Sequence, residues 1–223
     1  MKHLLIVSIL ILVSPFVSAG IPFEFDEPVR INTTDRGESR PLVASNSLGH
    51  VVVVWTTEYT GEFALLSSKS NDFGATWSTP IRVDNGTSSK LTPHVFCITT
   101  VSDIELAVAW KSLVGSDGLF SAYSTDFGSS WLAYNSRIDD GSPGIKDEVC
   151  VVSDGTRLVA FWGDTRTGRP TLQSSYSLDK GMTWSSPDIR VDDDDTVFST
   201  KAFLSLHAGS DGSFLATWAD ERN

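Results

Sequence analysis

The sequence carries one eight-residue stretch three times. It reads Ser-Asn-Asp-Phe-Gly-Ala-Thr-Trp at residues 70–77, Ser-Thr-Asp-Phe-Gly-Ser-Ser-Trp at 124–131 and Ser-Leu-Asp-Lys-Gly-Met-Thr-Trp at 177–184. Successive copies begin about 53 residues apart, and a fixed period of this order indicates a repeat architecture. The repeat therefore decides the fold, and the surrounding segments have to be read in step with it.

Two further signatures keep the same period. An apolar run ending in tryptophan precedes each copy, at residues 51–55, 106–110 and 158–162, and a fourth run occupies 214–218. A short Arg-x-Asp segment follows each copy. All seven tryptophans end either an apolar run or an eight-residue stretch, so each of them occupies a repeat position. Short strands in a fixed order, with turn residues between them and no amphipathic helical pattern, predict the four-stranded antiparallel blades of a β-propeller.

The period also sets the predicted boundaries within residues 20–223. Complete blades are predicted over residues 40–84, 92–139 and 146–192, with the start of a further blade at 200–223 and an outer-strand segment at 27–31. Three and a half blades leave apolar faces and strand edges open to water. We therefore expect these residues to be the N-terminal part of a longer propeller.

The eight-residue stretch resembles the Asp box, or bacterial neuraminidase repeat (BNR), of the sialidase superfamily. The resemblance extends from Arg30 to residue 223 and implies an all-β, sialidase-like β-propeller with a ring of six blades. We expect the box to be structural, because its Asp can accept backbone N–H bonds in a tight turn, its Gly can supply a positive φ, and its Trp can pack into the blade. The residues in these roles are Asp72, Gly74 and Trp77; Asp126, Gly128 and Trp131; and Asp179, Gly181 and Trp184.

The candidate ligand site is predicted at the end of the blades opposite the boxes, here called the front. In a four-stranded meander the loop after the second strand and the crossover between blades both lie there. Two Trp-x-Asp-x-Arg segments follow second strands and supply Asp164 with Arg166 and Asp220 with Arg222. An arginine at this end suits a carboxylate or a vicinal diol of a ligand. The alternative is that each Asp orders its own Arg in a loop-closing ion pair.

The resemblance also implies where catalytic residues would lie. Members of the sialidase family use three arginines for the substrate carboxylate, a Tyr/Glu nucleophile pair and an Asp acid/base. Arg40 aligns with the first of these arginines, and the acid/base position falls near Glu62 or Ala64. A Glu can shuttle a proton if its surroundings raise its pKa. The second arginine falls near Tyr59, so the catalytic set within this chain is incomplete.

The amino-acid composition and the N-terminal leader limit which partners and which cellular compartment the sequence allows. The 223 residues are 40% hydrophobic with a formal net charge of −11, and an acidic surface argues against a nucleic-acid partner. Lys2, an apolar run and small residues at 17–19 predict a signal peptide over residues 1–19 and no membrane insertion after cleavage. We therefore expect a secreted protein, extracellular or periplasmic, that either recognises or cleaves a glycan or serves as a non-catalytic interaction or structural module for an extracellular protein.

Three minor sites accompany these predictions, and no cofactor is expected. The run Asp192-Asp193-Asp194-Asp195 offers oxygen ligands to calcium, but it lacks the alternating spacing of a calcium loop, which favours a solvated acidic loop. Asn32 and Asn85 each begin a glycosylation sequon. Cys97 and Cys150 lie one repeat apart on inner strands, which allows either a disulfide or two buried thiols.

Overall fold

The structure is a computed structural model that describes residues 8–9, 28–32, 37–59, 62–84, 91–112, 118–132, 136–193 and 201–220. Every regular element in these ranges is a strand. The first two strands, β1 (Ser8–Ile9) and β2 (Val29–Arg30), form a small sheet of their own. Blade 1 comprises β3 (Ser39–Ser45), β4 (Val51–Tyr59), β5 (Glu62–Ser70) and β6 (Ile81–Arg82); blade 2 comprises β7 (Leu91–Ser102), β8 (Glu105–Ser112), β9 (Gly118–Ser124) and β10 (Ser136–Arg137); blade 3 comprises β11 (Lys146–Ser153), β12 (Leu158–Asp164), β13 (Thr171–Ser177) and β14 (Ile189–Arg190); and β15 (Lys201–Ala208) pairs with β16 (Phe214–Asp220).

The blades are antiparallel meanders whose strands neighbour one another in chain order. Their inner strands also contact one another in order, because β7 packs against β3 on one side and β11 on the other, and β11 packs against β15. The sheets therefore stand side by side about a common axis, with β15 and β16 as the first half of a fourth blade. This arrangement confirms the predicted all-β propeller fold with four-stranded antiparallel blades.

The core lies between adjacent blades and is built from their second strands. Val52 and Val54 of β4 pack with Leu106, Val108 and Trp110 of β8, and all five side chains are buried. An equivalent cluster joins blades 2 and 3. A second strand that is sandwiched between two blades has no solvent-facing side, which explains its continuous apolar run. Burial of each such side chain contributes about 1.5–3 kcal/mol.

The two-residue outer strands are fixed by the buried Asp of the Arg-x-Asp segment. In blade 1 the Asp84 carboxylate accepts the Leu65 backbone N–H at 2.9 Å and two bonds from Arg82 at 3.0 and 2.7 Å. In blades 2 and 3 the corresponding backbone N–H of the third strand donates to Asp139 at 2.8 Å and to Asp192 at 3.0 Å. These charge-assisted bonds anchor strands that are too short to be held by a backbone ladder alone.

The N-terminal segment departs from the predicted outer strand at 27–31. Val29 and Arg30 pair with Ile9 and Ser8 in the separate two-stranded sheet, and Ile31 is buried beside Val53 and Trp55. Apart from Ser8 and Ile9, the predicted signal peptide lies outside the described residues. Within the described ranges, no helix is long and apolar enough to cross a membrane.

Candidate functional site

The Asp boxes lie at the back end of the blades, where each second strand begins. In the second box, Ser124 Oγ donates to Asp126 Oδ1 at 2.9 Å and accepts the Gly128 N–H at 2.7 Å. The Asp126 carboxylate also accepts the N–H and the hydroxyl of Ser130 at 2.8 and 2.6 Å. Gly128 has a φ of 80°, which a glycine adopts at little cost. The other two boxes repeat these bonds, and in the first box they lower the pKa of Asp72 to about 2, with Thr76 the largest cause.

Two of the three box tryptophans join their blade to the preceding one. The Trp131 indole N–H donates to Ser67 Oγ of blade 1 at 2.8 Å, and the Trp184 indole donates to Ser121 Oγ of blade 2 at 3.0 Å. Trp77 instead donates to the Gly74 carbonyl of its own turn at 2.8 Å. The boxes therefore serve the scaffold, and a ligand site has to be sought at the other end.

At the front end, the inner strands of blades 1 and 3 carry equivalent bulges, and the pairing of β7 and β15 also shifts there, between Leu91 and Phe96 and between Ala202 and Ser205. The pairing register shifts between Ser39 and Leu42 in β3 and between Asp147 and Cys150 in β11. Within these bulges Arg40 has a φ of 48° and Glu148 a φ of 49°. A non-glycine residue held in the left-handed region is strained, and such residues concentrate at functional sites. The Asp-box residues Phe73, Phe127 and Lys180 also have a positive φ. What distinguishes Arg40 and Glu148 is that they are charged and lie at the front end.

The surroundings of the bulges hold them in place. Ser39 and Thr56 share a hydroxyl–hydroxyl bond of 2.8 Å, and the Thr56 hydroxyl lies 3.1 Å from the Ser39 carbonyl. In blade 3 the Glu148 N–H donates to Asp147 Oδ1 at 3.1 Å. The Arg40 side chain is exposed, whereas Glu148 is half-buried and its Oε2 atom is buried without a hydrogen-bond partner. A buried carboxylate oxygen without a partner is costly, and a hydrogen-bond donor would satisfy it.

Arg166 is engaged by three carboxylates. Its Nε and Nη2 donate to Asp164 at 3.0 and 2.7 Å, its Nη1 donates to Asp140 at 3.1 Å, and Nη2 also contacts Asp188. The side chain is only 15% exposed. Every guanidinium nitrogen thus donates to a carboxylate already. This is the loop-closing ion pair described above as the alternative, and it leaves Arg166 poorly placed to bind a ligand.

The same corner of blade 3 contains further buried charge. Lys146 is fully buried, donates to the Ser142 and Gly144 carbonyls, and lies 3.8 Å from Asp139 and 4.0 Å from Asp164. This network holds two segments together, the crossover from blade 2 to blade 3 and the loop that follows β12.

The pKa values of the two outer carboxylates of this network, Asp188 and Asp140, are shifted in opposite directions. Burial raises the pKa of Asp188 to about 6, despite its bond from Arg166. Burial also acts to raise the pKa of Asp140, but the bonds from Ser142 and the charge of Arg166 outweigh it and hold that pKa well below its ordinary value. The two groups exchange backbone N–H to carboxylate bonds at 3.1 and 3.3 Å.

The remaining predicted site residues are described only in part. Glu62 and Asp220 lie at the front ends of β5 and β16, but their side chains are outside the description, as are Arg222, Asn85, Asp194 and Asp195. Ala64 is buried and carries no acid/base group. Asn32 is 6% exposed and accepts a bond from Arg30 at 3.3 Å, so its glycosylation stays a prediction. Asp192 binds Leu172 and Arg190, and the described residues contain no cluster of three or more metal-ligating side chains.

The two cysteines are free thiols on the neighbouring strands β7 and β11. The Val151 N–H donates to Cys97 Sγ at 3.3 Å. A hydrogen bond between the two thiols lowers the pKa of Cys97 and raises the pKa of Cys150. The spacing of one repeat therefore does bring the two residues together, and the disulfide stays a prediction.

Glu148 was not identified from the sequence. A signal for it exists, because Glu148 precedes Trp162 by the same number of residues, within one, as Arg40 precedes Trp55. A bulge, however, is specified by how an inner strand pairs with its neighbour, and a residue count along one strand does not show it.

Comparison with known proteins supports the fold. No family profile and no curated protein matches this sequence. Among solved structures, the Penicillium chrysogenum alpha-L-arabinanase complexed with arabinobiose has a TM-score of 0.62 at 15% identity, and the match covers 81% of this chain and 56% of that chain. The Fusarium graminearum GH93 alpha-L-arabinofuranosidase, also with arabinobiose, has a TM-score of 0.62 at 13% identity over 83% of this chain and 56% of that one.

A sialidase is similar to a lesser degree. NanB sialidase from Streptococcus pneumoniae has a TM-score of 0.54 at 15% identity, over 87% of this chain and 30% of that chain. At these identities the likeness shows the fold, and it extends to arabinan-cleaving enzymes and sialidases alike. This chain spans just over half the length of the two arabinose-related enzymes that it matches.

Proposed function

We propose that this protein is a secreted carbohydrate-active β-propeller that binds a neutral oligosaccharide at its front end. The observation that carries the proposal is the pair of strained, charged bulge residues, Arg40 and Glu148, at equivalent places on two inner strands of one ring. Strain of this kind costs about 1–3 kcal/mol per residue and persists where the surrounding structure enforces it for a purpose.

The chemistry of the two side chains suits a sugar. An arginine can donate two parallel bonds to a vicinal diol, and a carboxylate oxygen without a partner can accept a hydroxyl. Solved structures with the same fold contain arabinobiose, a neutral disaccharide, and this supports a sugar ligand for the ring.

A neutral sugar is favoured over sialic acid by the charges at the front. The resembling family binds the sugar carboxylate with three arginines, and Arg166 cannot join Arg40 in such a cluster because Asp164, Asp140 and Asp188 already engage it. The carboxylates of this corner would repel an anionic ligand. The proposal therefore departs from the sialic acid that the Asp-box resemblance implies, and it keeps the wider class of glycan-active propellers.

Glycoside hydrolysis requires a second carboxyl group opposite the first. Glu148 can serve as one member of such a pair, and Glu62, the predicted acid/base at the front end of β5, is the candidate for the other. Without the second group the same site binds glycan and does not cleave it, which is the glycan-recognition form of the proposed function.

Calorimetric titration with arabinobiose and with sialyllactose tests the ligand class. We expect saturable binding of the neutral sugar, at least tenfold weaker binding for Glu148→Gln, and unchanged binding for Glu58→Gln, an exposed Glu on β4. Preference for sialyllactose, or equal binding by Glu148→Gln, would contradict the proposal. Release of arabinose on incubation distinguishes the enzyme from the binding module.

A further inference from the structure

Two thiols meet where the inner strands of blades 2 and 3 run side by side. Cys97 of β7 pairs with Ala109 of β8, and Cys150 of β11 pairs with Phe161 of β12. Each of these partners immediately precedes the second-strand tryptophan of its blade. The two cysteines therefore lie at the same level of the ring on neighbouring blades. The glycan site proposed above uses neither thiol.

The Cys97 sulfur is held against the backbone of the residue that follows Cys150. It accepts the Val151 N–H at 3.3 Å, and its thiol donates to the Val151 carbonyl at 3.5 Å. The Val151 nitrogen is bonded directly to the carbonyl carbon of Cys150, and the two thiols share a hydrogen bond. The two sulfur atoms are thus already neighbours, which is the first requirement of a disulfide.

The two thiols differ in how readily they ionise. The Cys150 thiol and the Val151 N–H both donate to the Cys97 sulfur, and these bonds lower the pKa of Cys97 because they stabilise its thiolate. The bond to Cys97, burial and the charge of Glu148 raise the pKa of Cys150. The thiolate is the nucleophile in thiol–disulfide exchange, so Cys97 is the attacking thiol of the pair.

The bulge at Glu148 sets the surroundings of the second thiol. Cys150 is the residue at which regular pairing with β12 resumes after the bulge, two positions beyond Glu148. A carboxylate so close opposes a second negative charge on the Cys150 sulfur. Both cysteines are half-buried, so a small reagent can reach them. These features suit Cys97 to the first step of an exchange and Cys150 to the second.

We propose that Cys97 and Cys150 form a thiol–disulfide exchange site, which joins blades 2 and 3 covalently when the oxidant is a low-molecular-weight disulfide. The Cys97 thiolate attacks one sulfur of the reagent, which gives a mixed disulfide and releases one thiolate. Cys150 then loses its proton to solvent, and its thiolate attacks the Cys97 sulfur and releases the second thiolate. Two protein thiols are oxidised and one reagent disulfide is reduced to two thiols.

Equilibration of the reduced chain with glutathione and glutathione disulfide tests the cross-link. The chain contains only these two cysteines, so an internal disulfide can have only one pairing, and mass spectrometry detects it as the loss of two hydrogens. We expect an equilibrium constant for this disulfide at least a hundredfold larger in the folded chain than in urea. The fold holds the thiols together, whereas the unfolded chain has to bring together two residues 53 positions apart.

Single variants assign the two roles. Cys150→Ser removes the second thiol and should accumulate the mixed disulfide between Cys97 and glutathione. Cys97→Ser should form its own mixed disulfide at least tenfold more slowly at pH 7, because less of its remaining thiol is ionised. Adding Glu148→Gln to Cys97→Ser should raise that rate about threefold, and Glu58→Gln, at an exposed Glu of blade 1, is the matched control and should leave it unchanged.

Three results would overturn the proposal. They are an equilibrium constant no larger in the folded chain than in urea, oxidation that yields only chains linked to one another, and equal rates for the two serine variants. If a serine variant fails to fold, the equilibrium of the natural chain still tests the cross-link. None of these measurements involves a carbohydrate, so failure here is distinguishable from failure of the proposed function.

Discussion

The back and front ends of the blades differ in how strictly they repeat. At the back, the same serine, aspartate and glycine make the same bonds in all three boxes. At the front, Trp162 donates its indole N–H to Asp164, while Trp55 and Trp110 lack that carboxylate and keep a buried N–H without a partner. The repeated end is explained by the needs of the scaffold, and the variable end is where we propose the glycan site.

Differences within the back end show what the box contributes. Phe127 of the second box is 1% exposed because blade 1 covers it, whereas Phe73 of the first box is 64% exposed. The internal bonds of the two boxes are the same. The turn is therefore a local structure, and its contribution to stability beyond the turn comes from the contact with the preceding blade.

The largest effect is expected where a box tryptophan crosses between blades. Trp184→Ala should lower the free energy of unfolding by about 3 kcal/mol, because it leaves a gap against blade 2 and removes the bond to Ser121. Trp77→Ala should cost less, about 2 kcal/mol, because its ring also packs against Ile31, Val53 and Trp55 but its indole N–H bonds within its own turn. Urea unfolding of both variants measures the difference, and equal losses would show that the box tryptophan acts locally.

Removing a box carboxylate should have the next largest effect. Asp126→Ala should lower the free energy of unfolding by about 2 kcal/mol, since the N–H and hydroxyl of Ser130 and the hydroxyl of Ser124 lose their acceptor. Glu58→Ala, at an exposed residue near the front end of β4, is the control and should stay within about 0.5 kcal/mol of the natural protein. Similar losses at both ends would remove the distinction between scaffold and site.

Stability should also depend on pH in opposite ways at the back and front ends of the blades. Hydrogen bonds lower the pKa of Asp72 to about 2, so its contribution is present above the unfolded value near 3.9 and is lost as the pH falls towards 2. Asp188, with a pKa raised to about 6, binds a proton more tightly in the folded state, so its contribution declines as the pH rises from about 4 to 6. Asp188→Asn should remove the second slope and leave the first, and unfolding measured from pH 2 to 7 checks both.

Much of the back end could be predicted from the sequence, and much of the front could not. The positions of Asp126, Gly128 and Trp131 follow from a motif whose bonds are made within eight residues. The engagement of Arg166 depends on Asp188, which reaches it from the start of another strand 22 residues along the chain. The strain at Glu148 depends on the pairing register of two strands, and the apolar pattern that predicts a strand does not report its bulges.

The smallest effect is expected from relief of strain at the front. Glu148→Gly should raise the free energy of unfolding by about 0.5–1 kcal/mol, because glycine adopts a φ of 49° without strain. Glu58→Gly, in a strand interior, should lower it by about 1 kcal/mol. Differential scanning calorimetry of the two variants decides the sign, and destabilisation by both would mean that the Glu148 backbone is not strained.

If the back end stabilises the ring while the front end binds glycan, two variants measured side by side should separate the two roles. Asp126→Asn and Glu148→Gln each remove one carboxylate charge, the first at the back and the second at the front. Unfolding free energy and arabinobiose affinity are measured for both. We expect Asp126→Asn to lose stability and to keep its affinity for arabinobiose. We expect Glu148→Gln to keep its stability and to lose that affinity. Loss of affinity in Asp126→Asn equal to that in Glu148→Gln, under conditions where both are folded, would contradict this division of roles.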